Sequence, residues 1–351
     1  MKTSLQAGMR WRINMEINPE LQNKRGLLLA ADIGGTNARF AIFNFENGNL
    51  SLVRENSYKT KEYYSFKELV IKFCGNDTLK IKSVCIGAAG PVKDGKVLGT
   101  NFTWEIDKKD IIDITKNSSI RIINDLEATA YGLKNIESSH FTEIKSGSSD
   151  SGNLAILSPG TGLGEAGIFW DGNKYHPIAS EGGHCEFSPR NELDIELWRY
   201  LHYKYDHVSW ERVISGPGII NIYQFLKWYR QVSEPKWFQE RYLNEDPAFL
   251  ISQCAMENTY NTCVETMALF LRFLAIESAQ LALKFKATGG IYIGGGIVPK
   301  NIQIINKKKF ANDFVNSNRM KSLLNLIPIQ VILNPNTALL GAAFSAAQNI
   351  D

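Results

Sequence analysis

The sequence predicts an α/β protein of two domains around a cleft, built from one pattern used twice. Three observations carry this expectation. A length of 351 residues suits two domains. The order strand, strand, strand, helix, strand, helix, strand, helix reads once before residue 135 and again after it. In both readings a glycine turn joins the first two strands, at Gly34-Gly35-Thr36 and at Gly160-Thr161-Gly162.

The elements of the first half follow from local chemistry. Residues 27–31 are an apolar run, which reads as a buried strand. Asp32-Ile33-Gly34-Gly35-Thr36-Asn37 reads as a turn, and residues 38–45 as the second strand. Asn47-Gly48 is a hairpin signal before a third strand over 50–58. Residues 65–73 have helical spacing, with Phe66, Leu69, Val70 and Phe73 on one face. Strands follow over 83–89 and 120–123, with a weak helix over 110–115 between them. The second of these strands ends in Asn124-Asp125, where a helix over 126–133 begins.

The second half repeats the order. Residues 154–157 are apolar and run into Pro159-Gly160-Thr161-Gly162-Leu163-Gly164, then into a strand over 166–170. Asp171-Gly172 turns the chain into a strand over 174–178. A long, mostly helical stretch fills 192–286 and expands the first helical slot. A strand over 290–293, Gly294-Gly295-Gly296, a helix near Ile302, a strand over 327–333 and a helix over 337–347 complete the set. Two halves of this order, each with a glycine hairpin, are the pattern of the duplicated ribonuclease-H-like, or actin-like ATPase, fold. In that fold both hairpins address the phosphates of one nucleotide.

Composition narrows the class. Apolar residues make up 44% and charged residues 21%, which excludes disordered and coiled-coil readings. Net charge is +3, from 39 basic and 36 acidic residues, too balanced for a main partner that is nucleic acid or an anionic membrane. The five cysteines are scattered without a C-x-x-C pair. This suits a reducing, cytoplasmic compartment and argues against structural zinc. The apolar stretch 264–285 contains Glu265, Arg272, Glu277 and Lys284 and reads as a core helix. Residues 1–25 carry five basic side chains and no acid before Glu16. They read as a flexible extension or, as a minor alternative, an organellar import signal.

Several sites carry chemistry. Glycines let backbone N–H groups approach phosphate oxygens, and Thr36 and Asn37 add side-chain donors. Asp32 stands where a carboxylate holds Mg²⁺, directly or through water. A ligand-free hairpin turn is the alternative for the first loop, and the G-x-G of the second gains weight from its equivalent place in the second half. Gly294-Gly295-Gly296 suits either close approach to a nucleotide base or ribose, or close helix–strand packing. Asn124-Asp125 is the candidate catalytic pair. Its alternative is a helix N-cap, and the expectation is that one residue caps and the other reacts. Glu181-Gly182-Gly183-His184-Cys185-Glu186 suits hydrogen bonds to vicinal sugar hydroxyls better than zinc. Taken alone, His184 reads as a satisfied core histidine.

At these residues the chain resembles the bacterial-type glucokinase family over about 28–347. The motifs, in order, are Asp32-Ile-Gly-Gly-Thr-Asn-Ala-Arg39, Thr100-Asn101-Phe-Thr-Trp104, Ile123-Asn-Asp125, Gly160-Thr-Gly-Leu-Gly164, Glu181-Gly-Gly-His184, Glu211-Arg-Val-Ile-Ser-Gly-Pro-Gly218 and Gly294-Gly-Gly-Ile-Val-Pro299. The resemblance implies phosphorylation of D-glucose at its 6-hydroxyl by ATP with Mg²⁺. It implies Asp125 as base and Asn101, Asn124, Asp125, Glu181, His184 and Glu211 as sugar ligands. The implied nucleotide contacts are Asp32, Gly34, Gly35, Thr36 and Asn37, then Gly160, Thr161, Gly162 and Gly164, then Gly294 and Gly295. It further implies a homodimer, a small domain over 26–135, a large domain over 136–335, and a last helix over 336–351 returning to the small domain.

Similar sugar kinases of the ROK type carry a Cys-rich zinc motif after their His. Here Cys185-Glu186-Phe187-Ser188-Pro189 follows His184, which disfavours that branch and its zinc. A kinase for another hexose or for N-acetylmannosamine is the alternative enzyme. A non-metabolic actin-like or heat-shock-type ATPase has no use for the Asn-Asp and Glu-Gly-Gly-His sets. A ROK-type repressor needs a DNA-reading domain before the first loop, where about 26 residues are expected too few.

Overall fold

The computed structural model describes residues 24–75, 80–99, 104–116, 119–133, 135–148 and 151–350. Most of the expected N-terminal extension lies outside the described residues, as does Asn101. The chain divides into two units. One holds the residues up to Ser138 together with those from Asn336 onward, and the other is Ser139–Pro335.

In the first unit, β1 (Arg25–Ile33), β2 (Asn37–Glu46) and β3 (Asn49–Lys59) form an antiparallel meander. Helix α1 (Phe66–Cys74) starts where the Ser65 hydroxyl accepts the Glu68 N–H at 3.2 Å, and it buries Phe66, Leu69, Val70 and Phe73. Strand β4 (Ile81–Ala88) lies parallel to β1. A small sheet of β5 (Val92–Lys93), β6 (Lys96–Leu98) and β7 (Glu105–Asp107) follows. Strands this short carry no readable periodicity, so the sequence pattern does not announce them. Then come α2 (Lys108–Thr115), β8 (Ile120–Asn124) and α3 (Asp125–Leu133). The main sheet runs β3-β2-β1-β4-β8.

The second unit opens with β9 (Phe141–Lys145), then β10 (Leu154–Pro159), β11 (Leu163–Trp170) and β12 (Tyr175–Ser180). The helical stretch resolves into α4 (Glu192–Tyr205), α5 (Gly216–Tyr229), α6 (Lys236–Asn244), α7 (Pro247–Met256) and α8 (Asn261–Phe285). Strand β13 (Gly290–Ile293), α9 (Lys307–Val315), α10 (Lys321–Leu326) and β14 (Ile329–Ile332) complete the unit. Its sheet runs β12-β11-β10-β13-β14-β9. The first five positions repeat the order of the first unit, strand for strand. β9 is an added edge, antiparallel to β14. Its polar Thr142 and Glu143 hide it from an apolar-run reading. By length and composition α8 is apolar enough to cross a membrane, but most of that stretch is buried in the core of the second unit.

Three local expectations need correction. Asp32 and Ile33 still belong to β1, paired with Arg39 and Ala38, so the turn is confined to the glycines and Thr36. The final strand is shorter than the run 327–333, because Pro328 supplies no N–H to a ladder. The helix expected near Ile302 is a 3₁₀ segment, Pro299–Ile304, with α9 and α10 behind it.

The C-terminal helix α11 (Thr337–Gln348) packs in the first unit against α3, with its small residues at the contact. A Cβ on Gly341 would fall 1.7 Å from the Ala128 carbonyl oxygen, and one on Gly132 would fall 2.1 Å from that of Thr337. The two helices therefore meet backbone to backbone, and this contact sets the position of α3. Gly341→Leu is expected to destabilise the protein by about 1–3 kcal/mol or more, read as a lowered urea midpoint. An unchanged midpoint would show that the contact yields freely.

Candidate active site

The hairpin between β1 and β2 is closed by the Gly34 N–H, which donates to the Asn37 carbonyl at 2.9 Å. This leaves Gly35 and exposed Thr36 at the tip. A second tie holds the turn from the side: Thr60 Oγ1 donates to the Gly34 carbonyl at 2.9 Å, and the Thr60 N–H donates to the Thr36 carbonyl at 3.1 Å. Asp32 sits at the end of β1, opposite Arg39 in register. Burial raises the pKa of its carboxyl, and the Arg39 guanidinium works against that rise. Arg39 also donates to Asn336 Oδ1 at 3.3 Å.

Asn124 ends β8 and Asp125 begins α3. Asn124 Oδ1 accepts the Leu126 N–H at 2.8 Å, the bond of a helix cap, while Asn124 Nδ2 donates to the Gly90 carbonyl at 3.3 Å. Asp125 Oδ1 accepts the same Leu126 N–H at 2.9 Å. Both side chains are half-buried and oriented by one backbone donor.

In the second unit the sugar-type residues and the second glycine loop converge on Leu163. The loop is one residue tighter than the first: the Gly160 N–H donates to the Gly162 carbonyl at 2.8 Å, and Thr161 is exposed at the tip. The Leu163 N–H donates to Glu211 Oε2 at 2.9 Å. A Cβ on Gly162 would fall 2.5 Å from the same oxygen, so glycine there makes room for the carboxylate. On its other side, the Leu163 carbonyl lies where a Cβ on Gly183 would be, at 2.1 Å.

The Glu181–His184 turn is closed by the His184 N–H on the Glu181 carbonyl at 3.0 Å, and both side chains are exposed. Short pairing carries it toward Glu211. The Trp210 N–H donates to the Cys185 carbonyl at 2.9 Å and the Phe187 N–H to that of Val208 at 2.8 Å. Ser215 holds Glu211 from behind, donating to its carbonyl at 2.7 Å while capping α5. The Gly216 N–H, at the start of α5, donates to the Gly160 carbonyl at 2.8 Å.

Gly294 and Gly295 follow β13. The Gly294 N–H donates to the Leu157 carbonyl at 2.8 Å, and a Cβ on Gly295 would fall 2.3 Å from the Pro159 carbonyl oxygen. Gly295 also has a φ of 78°, which favours glycine. Packing thus accounts for glycine at 295 but not at 294, where a Cβ would meet only Ile332 at 3.4 Å and Ser158 at 3.8 Å, and Gly295 and Gly296 are exposed.

The family model for glucokinase matches residues 29–349. A glucokinase of Trichormus variabilis is 34% identical over 339 residues, covering 92% of this chain and 99% of that relative. The chain belongs to the glucokinase family.

Solved glucokinases agree in fold. The enzyme of an Antarctic psychrotroph superposes with a TM-score of 0.79 at 28% identity, over 92% of this chain and 99% of that one. A ROK-family glucokinase from Streptomyces griseus, solved with glucose and AMPPNP, superposes with a TM-score of 0.61 at 21% identity, over 92% of this chain and 100% of that one. At that identity the likeness speaks for the actin-like ATPase fold.

Among the supporting residues of this glucokinase-family site, Thr60 lies in none of the sequence motifs, while Leu163 and Ser215 lie inside two of them without an assigned role. Ser215 acts as a cap and a tie on the Glu211 carbonyl, and Leu163 acts through its peptide group, which no side-chain motif announces. If Leu163 and Gly162 organise the site, Gly162→Ala displaces Glu211. The expected result is a rise of at least about tenfold in the KM for the sugar, with a smaller change in kcat. An unchanged KM would detach Glu211 from sugar binding.

Proposed function

We propose that the protein transfers the γ-phosphoryl group of ATP to the 6-hydroxyl of D-glucose, with Asp125 as general base. The observation that carries this reading is the convergence on Leu163 of Glu211, the Glu181–His184 turn and the Gly160–Gly164 loop. It joins hydroxyl-recognising side chains to a phosphate-type loop within one unit.

The roles follow from the chemistry. Asn124, Glu181, His184 and Glu211 pair with the sugar hydroxyls, and an epimer or deoxy sugar leaves some of them unpaired. Asn101 joins them on the family resemblance. Asp125, oriented by the Leu126 N–H, accepts the proton of the attacking hydroxyl. Base catalysis of this kind contributes roughly 10²–10⁴-fold, and positioning supplies much of the rest. The glycine-threonine tips at Thr36 and Thr161 offer phosphate contacts. Mg²⁺ bound with ATP would supply charge neutralisation on the phosphates. Asp32 fits it: a single hard carboxylate suits an ion that keeps several waters, and a cation nearby opposes the burial that raises this carboxyl. The free cysteines support a reducing, cytosolic compartment. A homodimer belongs to the same reading, and a sedimentation experiment finding only the 39.4 kDa species would remove it.

A coupled assay of ADP release with Mg²⁺ tests the reaction. Turnover is expected with glucose and not without sugar. Turnover confined to fructose, mannose or N-acetylmannosamine would keep the mechanism and replace the substrate. Asp125→Asn is expected to lose at least about 100-fold in kcat while still binding glucose. Near-normal turnover in that variant would remove Asp125 as the base.

A further inference from the structure

Two carboxylates of the second unit have no part in the reaction above. Glu165 lies on β11 two residues beyond Leu163, so strand alternation turns both side chains to one face. Glu277 lies within α8. They are 1% and 0% exposed. Neither Glu165 oxygen has a hydrogen-bond partner, nor has Glu277 Oε2. Glu277 Oε1 accepts from Lys284 Nζ at 3.2 Å.

A buried, unpartnered charge costs several kcal/mol, so two carboxylates in this setting cannot both stay ionised cheaply. Lys284 on α8 is the cation that acts on both. Arg190, which precedes α4, acts on Glu277, and its own neighbours include Asp194, Arg272 and Asp313. A retained proton neutralises the carboxyl that holds it and makes one of its oxygens a donor. Burial pushes the Glu165 carboxyl well above the usual carboxylate range, with Lys284 opposing. Burial and the Glu165 charge push Glu277 the same way, with Lys284 and Arg190 opposing.

The pair also bears on the sugar-recognising turn. A Cβ on Gly182 would fall 2.1 Å from Glu165 Oε2 and 3.1 Å from Ser180 Oγ. The Ser180 hydroxyl accepts the Gly182 N–H at 2.9 Å. The Glu165 carboxylate is therefore a support for the backbone between Glu181 and His184. We propose that Glu165 in its protonated form is a positioning residue for this turn, and that its ionisation, which leaves an unpartnered charge against Gly182, displaces the turn and weakens sugar binding. The inference rests on the assignment of Glu181 and His184 to the sugar.

The sign follows from the direction of both shifts. The folded protein holds these protons more tightly than the unfolded chain. Stability therefore falls as pH rises from the ordinary carboxylate range through the raised folded values, and then levels. Gln is a neutral stand-in for the protonated acid.

The test compares the parent enzyme with Glu165→Gln at about pH 6 and about pH 9. Between these values the parent is expected to show a glucose KM that rises at least about fivefold, with a smaller change in kcat. In Glu165→Gln the rise should stay below about twofold, and the urea midpoint should fall less than in the parent. If Glu165→Gln does not fold, the parent's own profile decides, since a glucose KM that is unchanged between the two pH values overturns the proposal. A KM profile that superimposes on the parent's overturns the proposal, whether or not the midpoint changes. A midpoint with the parent's pH dependence overturns the retained proton on Glu165. If Glu181→Gln and His184→Ala leave the glucose KM unchanged at both pH values, the sugar assignment itself fails. The positioning role then fails with it, while the midpoint comparison still reports on the proton.

Discussion

The peptide group of Leu163 is the constraint on which the second unit's candidate site depends. Its N–H holds the Glu211 carboxylate at 2.9 Å, and its carbonyl presses on Gly183. A hydrogen bond from a backbone donor to a charged carboxylate is stronger than a neutral one and fixes direction as well as distance. Because Leu163 starts β11, the sheet ladder transmits this geometry. The glycines at 162 and 183 follow from it. Each stands where a side chain would collide with the carboxylate or the carbonyl.

The first unit solves the corresponding problem differently. Its candidate base opens a helix, so the placement of Asp125 is the placement of α3. That helix is fixed by β4 beneath it, where Gly87 leaves room for Ala128, and by the glycine contacts with α11. The contact with α11 joins residues about 200 positions apart in the chain. A tight backbone-to-backbone contact has no flexible side chain to absorb a shift, which suits a helix that carries a reacting group at its first residue.

Buried charge sets the boundary between structure and regulation in the second unit. Asp194 is 0% exposed and is matched by Arg272 and by the Arg190 N–H at 3.0 Å. Its network is satisfied and belongs to the fold. Glu165 is buried as deeply and unmatched, next to the turn that carries Glu181 and His184. In a low-dielectric interior this difference decides which carboxylate can respond to pH.

The sequence by itself determined the duplicated order of strands, the two glycine hairpins and the family to which the chain belongs. Those features are local: apolar runs, turn residues and short motifs are encoded by neighbours in the chain. Tertiary structure alone decided what each polar residue does. Glu165 stands in an alternating strand as an inward-facing acid, which is a readable sign. Its counterpart Glu277 is 112 residues further on, and only folding brings the two charges within each other's reach. The same holds for Leu163 and Glu211, whose bond spans 48 positions, and for β9, whose short polar run acquires its meaning at the edge of β14. Glycine is legible as a turn residue, but the collision that requires it at Gly162, Gly183 and Gly341 comes from a distant part of the chain. Local pattern specifies elements, and a site is made by contacts that no local pattern contains.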